Sequence, residues 1–393
     1  MPLTYTTLLR NREMRALFTG FAALVAGSSL GGLALATLVD AETGSPLLTA
    51  LSLFGPTLAN VLGASTLMSL ADSARPRRVL VGLQLVGTLL VAGQLVPGLP
   101  LVLRFVLLIA LGLVMSVAGG IRLGLLSEVV GESRYATARS LMNVATGSMQ
   151  ILGFAAAAVL LPWLSPRELF LADVLLLLAS TVVTAVGVRE HSARPVRRPS
   201  LRQTVTTNAW LARQRRLRPL LVTSWVPNGL VVGCEALFVP YAGGAAGSLF
   251  VAGALGMLVG DLAMGRLVTR ATRARLSPWL RLLLAAPFLA FVAEPALPVA
   301  AALVLLATVG YSGTLALQER LLELTPVEVR GQVQGVEGAG RMTTQGLCAL
   351  LAGGLAEVMP VGAAMTTCAA LSIVVTLSTL HGVTRALGLP VRP

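Results

Sequence analysis

The sequence has no lysine, two histidines and three cysteines, and only 12% of its 393 residues are charged. Each shortage excludes something. Without lysine no phosphate-binding loop of the form GxxxxGK[ST] can be written, so a built-in nucleotide-driven engine of that kind is excluded. Cys234, Cys348 and Cys368 all fall in apolar segments. They are odd in number and form no CxxC, which argues against a disulfide framework and a thiol metal site. His191 and His381 stand alone. No metal and no cofactor is therefore expected. No pairs of aspartates or histidine-rich clusters are present to serve a membrane-embedded transferase, so no catalytic residue is assigned and the chain does not read as an enzyme. Soluble domains carry roughly 25% charged residues. At 55% hydrophobic residues and a mean hydropathy of +0.82, this chain has too little polar surface to cover a water-soluble globule.

What fills the space is long apolar runs. A membrane-spanning helix needs roughly 20 mostly apolar residues, and runs of that kind are found near 16–39, 47–71, 79–96, 101–124, 138–161 and 167–188. A second set lies near 219–241, 246–268, 278–294, 297–318, 332–356 and 361–383. The break between the ninth and tenth runs is marked only by Glu294, Pro295 and Pro298. The runs lack period-two alternation and are too long for barrel strands. The first, Ala16 to Val39, follows Arg10, Arg12 and Arg15 and is 24 residues long. That exceeds the roughly 7–15 of a secretion signal's apolar core, so it reads as an uncleaved first span. The predicted fold class is an all-α membrane protein, with twelve transmembrane helices in two pseudo-symmetric six-helix bundles.

The net charge of +13 comes from 30 arginines, and nine of them lie in 189–218, between the two sets of runs. The runs RRPSLR and RQRRLR would suit nucleic acid, but the apolar flanks point to a cytoplasmic loop instead, and no nucleic-acid partner is expected. Pro195 and Pro199 break the first part of this segment, and Ser200 can cap a short amphipathic helix through Leu201, Val205, Ala209 and Ala212, with Trp210 near the interface. Positive loops are retained in the cytoplasm. With the N-terminus inside, 27 arginines collect on cytoplasmic segments and only Arg104 and Arg167 fall outside. Arg122 and Arg281 belong to the cytoplasmic count on this reading. Three regions follow: an N-terminal six-helix half at 1–188, a basic cytoplasmic linker with an amphipathic helix at 189–218, and a C-terminal six-helix half at 219–393. The expected location is the cytoplasmic membrane of a bacterium, multi-pass, with both termini in the cytoplasm.

The halves resemble each other. The loop Asp72 to Arg78 after the second run matches Thr269 to Arg275 after the eighth at an offset of 197, and Glu132 with Arg134 matches Glu328 with Arg330 at 196. A duplicated six-helix unit is a transporter architecture, with the substrate site at the repeat interface near the midplane. At this point the chain resembles the major facilitator superfamily. That superfamily is marked by a G-x-x-x-D-R-x-G-R-[RK] loop; residues 68–78 read MSLADSARPRR, keeping Asp72 and the basic pair Arg77 and Arg78. The second copy keeps Gly265 and Arg270 and has Thr269 in place of the aspartate. An antiporter-type G-x-x-x-G-P-x-x-G-G pattern is matched at Gly153, with Phe154 and Ala157 departing from it. The segments LLSEVVGESRYATARSLMN and ELTPVEVRGQVQG are similar to bacterial efflux-type members.

The resemblance implies transport by alternating access, with spans one, four, seven and ten lining the cavity. It implies a cytoplasmic latch of Asp72, Arg77, Arg78, Gly265 and Arg270, in which Asp72 meets the helix start at Gly331 to Gln334. Charges inside spans are functional candidates. Glu235, in the seventh run, is the first candidate for binding a proton or a cationic substrate. Trp225, Asn228, Tyr311, Asn143 and Gln150 carry polar groups that lipid cannot satisfy and are candidate substrate contacts. Glu337 and Arg341, four residues apart, can meet on one helix face as an intramembrane ion pair. Asp173 reads as a helix-pairing group and Asp261 as a neighbour of Arg266 or Arg270. The function expected is proton-coupled export of a small organic, amphipathic substrate. Import of a small organic solute and a non-transporting receptor or scaffold are the alternatives. The partners are the substrate, the proton and the lipid bilayer, and the chain is expected to act as a monomer.

Overall fold

The computed structural model describes residues 5–66, 75–191, 211, 213–214, 216–326 and 329–388. Among the described residues the regular structure is helical and no strand is present. In chain order the long helices are α1 (Arg12–Thr43), α2 (Pro46–Thr66), α3 (Pro76–Gly93), α4 (Leu101–Val130), α5 (Glu132–Leu160), α6 (Pro166–Gly187), α7 (Arg218–Ala236), α8 (Ala246–Leu262), α9 (Arg270–Ala285), α10 (Leu297–Val309), α11 (Arg330–Ala356) and α12 (Val361–Ala386). Proline starts several of them. Pro46, Pro76, Pro166 and Pro219 sit in first turns, where the missing N–H would have had no helical partner. Ser165 adds a capping box with Glu168 at the start of α6. Thr269 caps α9 by accepting from the Thr272 N–H at 3.4 Å.

Eight stretches among the described residues are long and apolar enough to cross a membrane, the longest running Arg218–Leu267 through both α7 and α8. The protein is thus a multi-pass membrane protein. α2, α5 and α11 are outside that group of eight; α11 carries Glu337, Arg341, Thr343, Thr344 and Gln345, which lower its hydropathy. The ninth run does not continue smoothly into the tenth. A 3-10 turn over Ala286–Ala293 ends at Glu294 in a left-handed conformation (φ 47°), and α10 begins after Pro295.

The chain forms two compact units. One comprises Met1–Glu42 with Gly55–Val196, the other Thr43–Phe54 with Arg197–Pro393. The first unit is centred on Met14, Leu17, Leu80, Ile121, Leu125, Leu126 and Leu141. Its helices approach closely at glycines: a side chain at Gly153 of α5 would meet the Ala26 carbonyl of α1 at 2.6 Å, and one at Gly112 of α4 would meet the Pro56 carbonyl of α2 at 2.6 Å. Small residues at such crossings let backbones pack where lipid gives no hydrophobic drive.

In the second unit α7 packs against α11 and α12, α8 against α10, and α9 against α12. Gly229 and Gly233 of α7 face Thr344 and Cys348 of α11, and Phe238, Phe288 and Phe291 form an aromatic cluster beside them in the same unit. Residues 43–54 join this unit because the start of α2 packs on α11. Ala50, Ala236 and Ala349 form one buried cluster, and Gly353 faces Leu47 and Ala50. Large apolar side chains such as Leu89, Val102 and Val186 lie on the outside, as the solvent of a membrane protein requires.

Candidate functional site

The polar groups inside the second unit gather around α7. Pro227 interrupts this helix, and a proline inside a helix withdraws the N–H that would bond the carbonyl four residues earlier. That carbonyl belongs to Thr223, and the Arg281 guanidinium of α9 donates to it. Arg281 also donates to Thr314 Oγ1 at 3.1 Å and is only 1% exposed. On the neighbouring position of α7, Ser224 Oγ donates to Glu337 Oε1 of α11 at 3.1 Å. Trp225 donates its indole N–H to the Glu337 backbone carbonyl at 3.0 Å. Arg341 approaches the same Glu337 oxygen through Nε at 3.4 Å. The Tyr311 hydroxyl, in the 3-10 turn after α10, lies within electrostatic range of both Arg341 and Arg281.

Five helical segments thus place Thr223, Ser224, Trp225, Arg281, Tyr311, Thr314, Glu337 and Arg341 in one connected polar cluster. Of the sequence-predicted residues, the structure brings Trp225, Tyr311, Glu337 and Arg341 together. Asn228 is buried one turn further along α7, with its Nδ2 unpartnered. Glu235 lies half-buried two turns beyond, near the end of α7, and has no ion pair among the described residues.

The remaining candidates sit elsewhere. Gln150 is an exposed residue of α5, and for Asn143 the structure describes only its place in that helix. Asp72 lies outside the described residues, as do Trp210 and the 192–210 part of the linker. Arg77 donates to the Ala185 carbonyl at the end of α6, and Arg78 pairs with Glu190 at 3.6 Å. Gly265 is exposed in a π turn that ends α8. Arg270 pairs with Glu319 and Glu323, and Asp261 is exposed without either arginine as partner. Asp173 is 3% exposed and sits against Gly27 and Gly31 of α1.

Counting arginines by side of the membrane does not show that three of them, Arg104, Arg122 and Arg281, are buried among the described residues. Arg281 and Arg122 are not loop residues: they lie within α9 and α4, at 1% and 8% exposure. Arg122 rests its guanidinium over the Phe21 ring of α1, 4.8 Å from the centroid, a cation–π contact in a desolvated setting. The signal was legible in the residues around them, since GGIRLGLL and WLRLLLAA flank each arginine with apolar residues on both sides. A further cavity of about 430 Å³ lies in the second unit, bordered by Tyr241, Glu294, Pro295 and Pro360. None of the sequence-predicted site residues lines it. Among the described residues no cluster of His, Cys, Asp or Glu could hold a metal ion.

No known family profile matches the chain, and no curated protein matches it. Solved structures do. The nucleoside transporter NupG aligns with a TM-score of 0.73 at 11% identity, over 95% of this chain and all of its own, 100%. A bacterial homologue of the iron transporter ferroportin gives 0.66 at 15% identity, covering 96% of this chain and 98% of that one. A bacterial homologue of the human lysosomal transporter Spinster gives 0.66 at 11% identity, covering 96% and 95%. At these identities the likeness speaks for the fold and leaves cargo open. The chain has the fold of the major facilitator transporters.

Proposed function

We propose that the protein is a secondary active transporter that exports a small organic, amphipathic substrate in exchange for protons, by alternating access. The observation that carries this reading is the polar cluster of Trp225, Tyr311, Glu337 and Arg341 inside apolar helices of a transporter fold. Intramembrane charges are costly and mark substrate or ion pathways. In this reading Trp225, Asn228, Tyr311, Asn143 and Gln150 contact substrate, and Glu235 takes and releases the coupling proton. Asp72, Arg77, Arg78, Gly265 and Arg270 act as the cytoplasmic latch, which the motif copies at offset 197 support. The arginine distribution supports a bacterial cytoplasmic membrane with both termini inside, and removing Arg122 and Arg281 from the loop count leaves that asymmetry intact. The substrate and the proton are the partners, and one copy of the chain suffices for the cycle.

The test is efflux of a drug and metabolite panel from a pump-deficient bacterial host expressing the protein, with and without a protonophore. Extrusion abolished by the protonophore is the expected result. Extrusion that survives it removes proton coupling, and accumulation instead of loss turns the direction to import.

A further inference from the structure

Within the transporter reading, we propose that the polar cluster of the second unit binds an anionic group, with Arg341 as the ligand residue, and that the substrate is a small amphipathic organic anion. A guanidinium in a membrane interior needs a counter-charge. The cluster holds two, Arg281 and Arg341, and among the described residues Glu337 is the single carboxylate paired with either. Arg281 spends its hydrogen bonds on the Thr223 carbonyl and Thr314, which are neutral, so its charge is uncompensated. Glu337 is itself shared, because the oxygen facing Arg341 also accepts from Ser224.

Access points the same way. The Arg341 side chain is 27% exposed and that of Glu337 9%, so the reachable member of the pair is the cation. Arg341 Nε is 3.4 Å from Glu337 but makes no hydrogen bond, leaving donor capacity for an incoming oxyanion. The Tyr311 hydroxyl beside Arg341 can rotate to donate to the same anion. Trp225 lies against Gly340, the residue before Arg341, and offers an aromatic wall to the apolar body of such a ligand. A cationic ligand would meet the opposite arrangement: two guanidiniums and a carboxylate already engaged.

The experiment uses the full-length protein in phosphatidylcholine nanodiscs, with thermal unfolding as readout. The probes are inorganic phosphate and a matched trio: 4-phenylbutyrate, 4-phenylbutanol and 4-phenylbutylamine. 4-Phenylbutyrate should raise the midpoint, with phosphate doing so more weakly and the alcohol and amine leaving it unchanged. Arg341→Gln should weaken phenylbutyrate about tenfold or more, and Arg341→Lys should retain part of the effect. Glu337→Gln, which frees Arg341, should strengthen it. Equal stabilisation by the amine or the alcohol overturns the proposal, as does anion stabilisation untouched by Arg341→Gln or weakened by Glu337→Gln, or no stabilisation by either anion. Repeating the titration in phosphatidylglycerol nanodiscs separates the sources: loss of the Arg341-dependent effect there assigns the site to a lipid headgroup and overturns the substrate assignment. The transporter reading fails separately. Arg341-dependent binding without flux of phenylbutyrate into liposomes leaves the anion site and removes transport, whereas flux of the amine alone keeps transport and removes the anion site.

Discussion

The Asp173 carboxylate of α6 occupies the space that a side chain at Gly31 of α1 would need. It also lies 2.5 Å from where a Cβ at Gly27 would stand, with Leu176 Cβ at 3.1 Å. Asp173 is buried and cannot swing away without losing its place between the helices. Gly31→Ala should therefore destabilise the first unit by about 1–3 kcal/mol, the cost of overpacking a filled site. A Cβ at Gly32 would meet nothing within 4 Å, so Gly32→Ala should be neutral. Thermal unfolding of the two variants in detergent makes the comparison; equal midpoints would remove the α1–α6 contact from the account.

Pro227 and Arg281 act as a pair. The proline leaves the Thr223 carbonyl without its helical donor, and Arg281 supplies one. Arg281→Leu should cost about 1–3 kcal/mol for the orphaned buried carbonyl. In a Pro227→Ala background the helix regains its own N–H, and the same substitution should cost less, by about 1 kcal/mol. A double-mutant cycle on unfolding midpoints reads this directly. Additive costs would mean that Arg281 is held there for another reason.

The fold was largely legible because its signal is local. Apolar runs, first-turn prolines and the break at Glu294–Pro298 are all written along the chain, and the structure places helix starts and ends at them. The Glu337–Arg341 approach follows from helical spacing within one element. What joins that pair to its surroundings does not: Ser224 meets Glu337 through the packing of α7 on α11, and Arg281 reaches the adjacent Thr223 carbonyl from α9, which no local period encodes. Arg281 and Arg122 fall near the cytoplasmic ends of their apolar runs, and counting arginines there cannot tell a snorkelling side chain from a buried one. The grouping of residues 43–54 with the second unit was equally invisible, since it rests on Ala50 and Leu47 finding Ala349 and Gly353 some three hundred residues away.

That grouping has its own test. Glu357, after the end of α11, accepts from Ser45 Oγ at 2.5 Å and from the Leu47 N–H at 3.1 Å. A carboxylate there satisfies an unpaired donor at the start of α2 and complements the helix dipole. Glu357→Ala should speed amide hydrogen exchange at the start of α2, Leu47 to Thr49, relative to the rest of the helix. The loss corresponds to about 0.5–2 kcal/mol, the range for a removed helix cap. Ser45→Ala should instead speed exchange at Leu48, whose N–H donates to Ser45 Oγ at 3.2 Å, while Leu47 keeps its acceptor. Unchanged exchange in Glu357→Ala would show that the start of α2 is held by the Ala50–Ala349 packing alone.

In the proposed exchange, Glu235 is the residue assigned to carry the coupling proton. It lies in α7 at the half-buried position after Cys234, and no arginine or histidine pairs with it among the described residues. A carboxyl placed in this way can exchange a proton without first breaking a salt bridge, which the Glu337 carboxylate, engaged by Arg341 and Ser224, cannot do. Glu235→Gln mimics the protonated form. In liposomes it should carry out substrate counterflow at close to the parent rate, while uptake driven by an imposed pH gradient falls to the level of protein-free vesicles. Glu235→Asp should retain a part of the gradient-driven uptake. Loss of both activities would make Glu235 a binding or structural residue, and retention of both would move the coupling proton to another group.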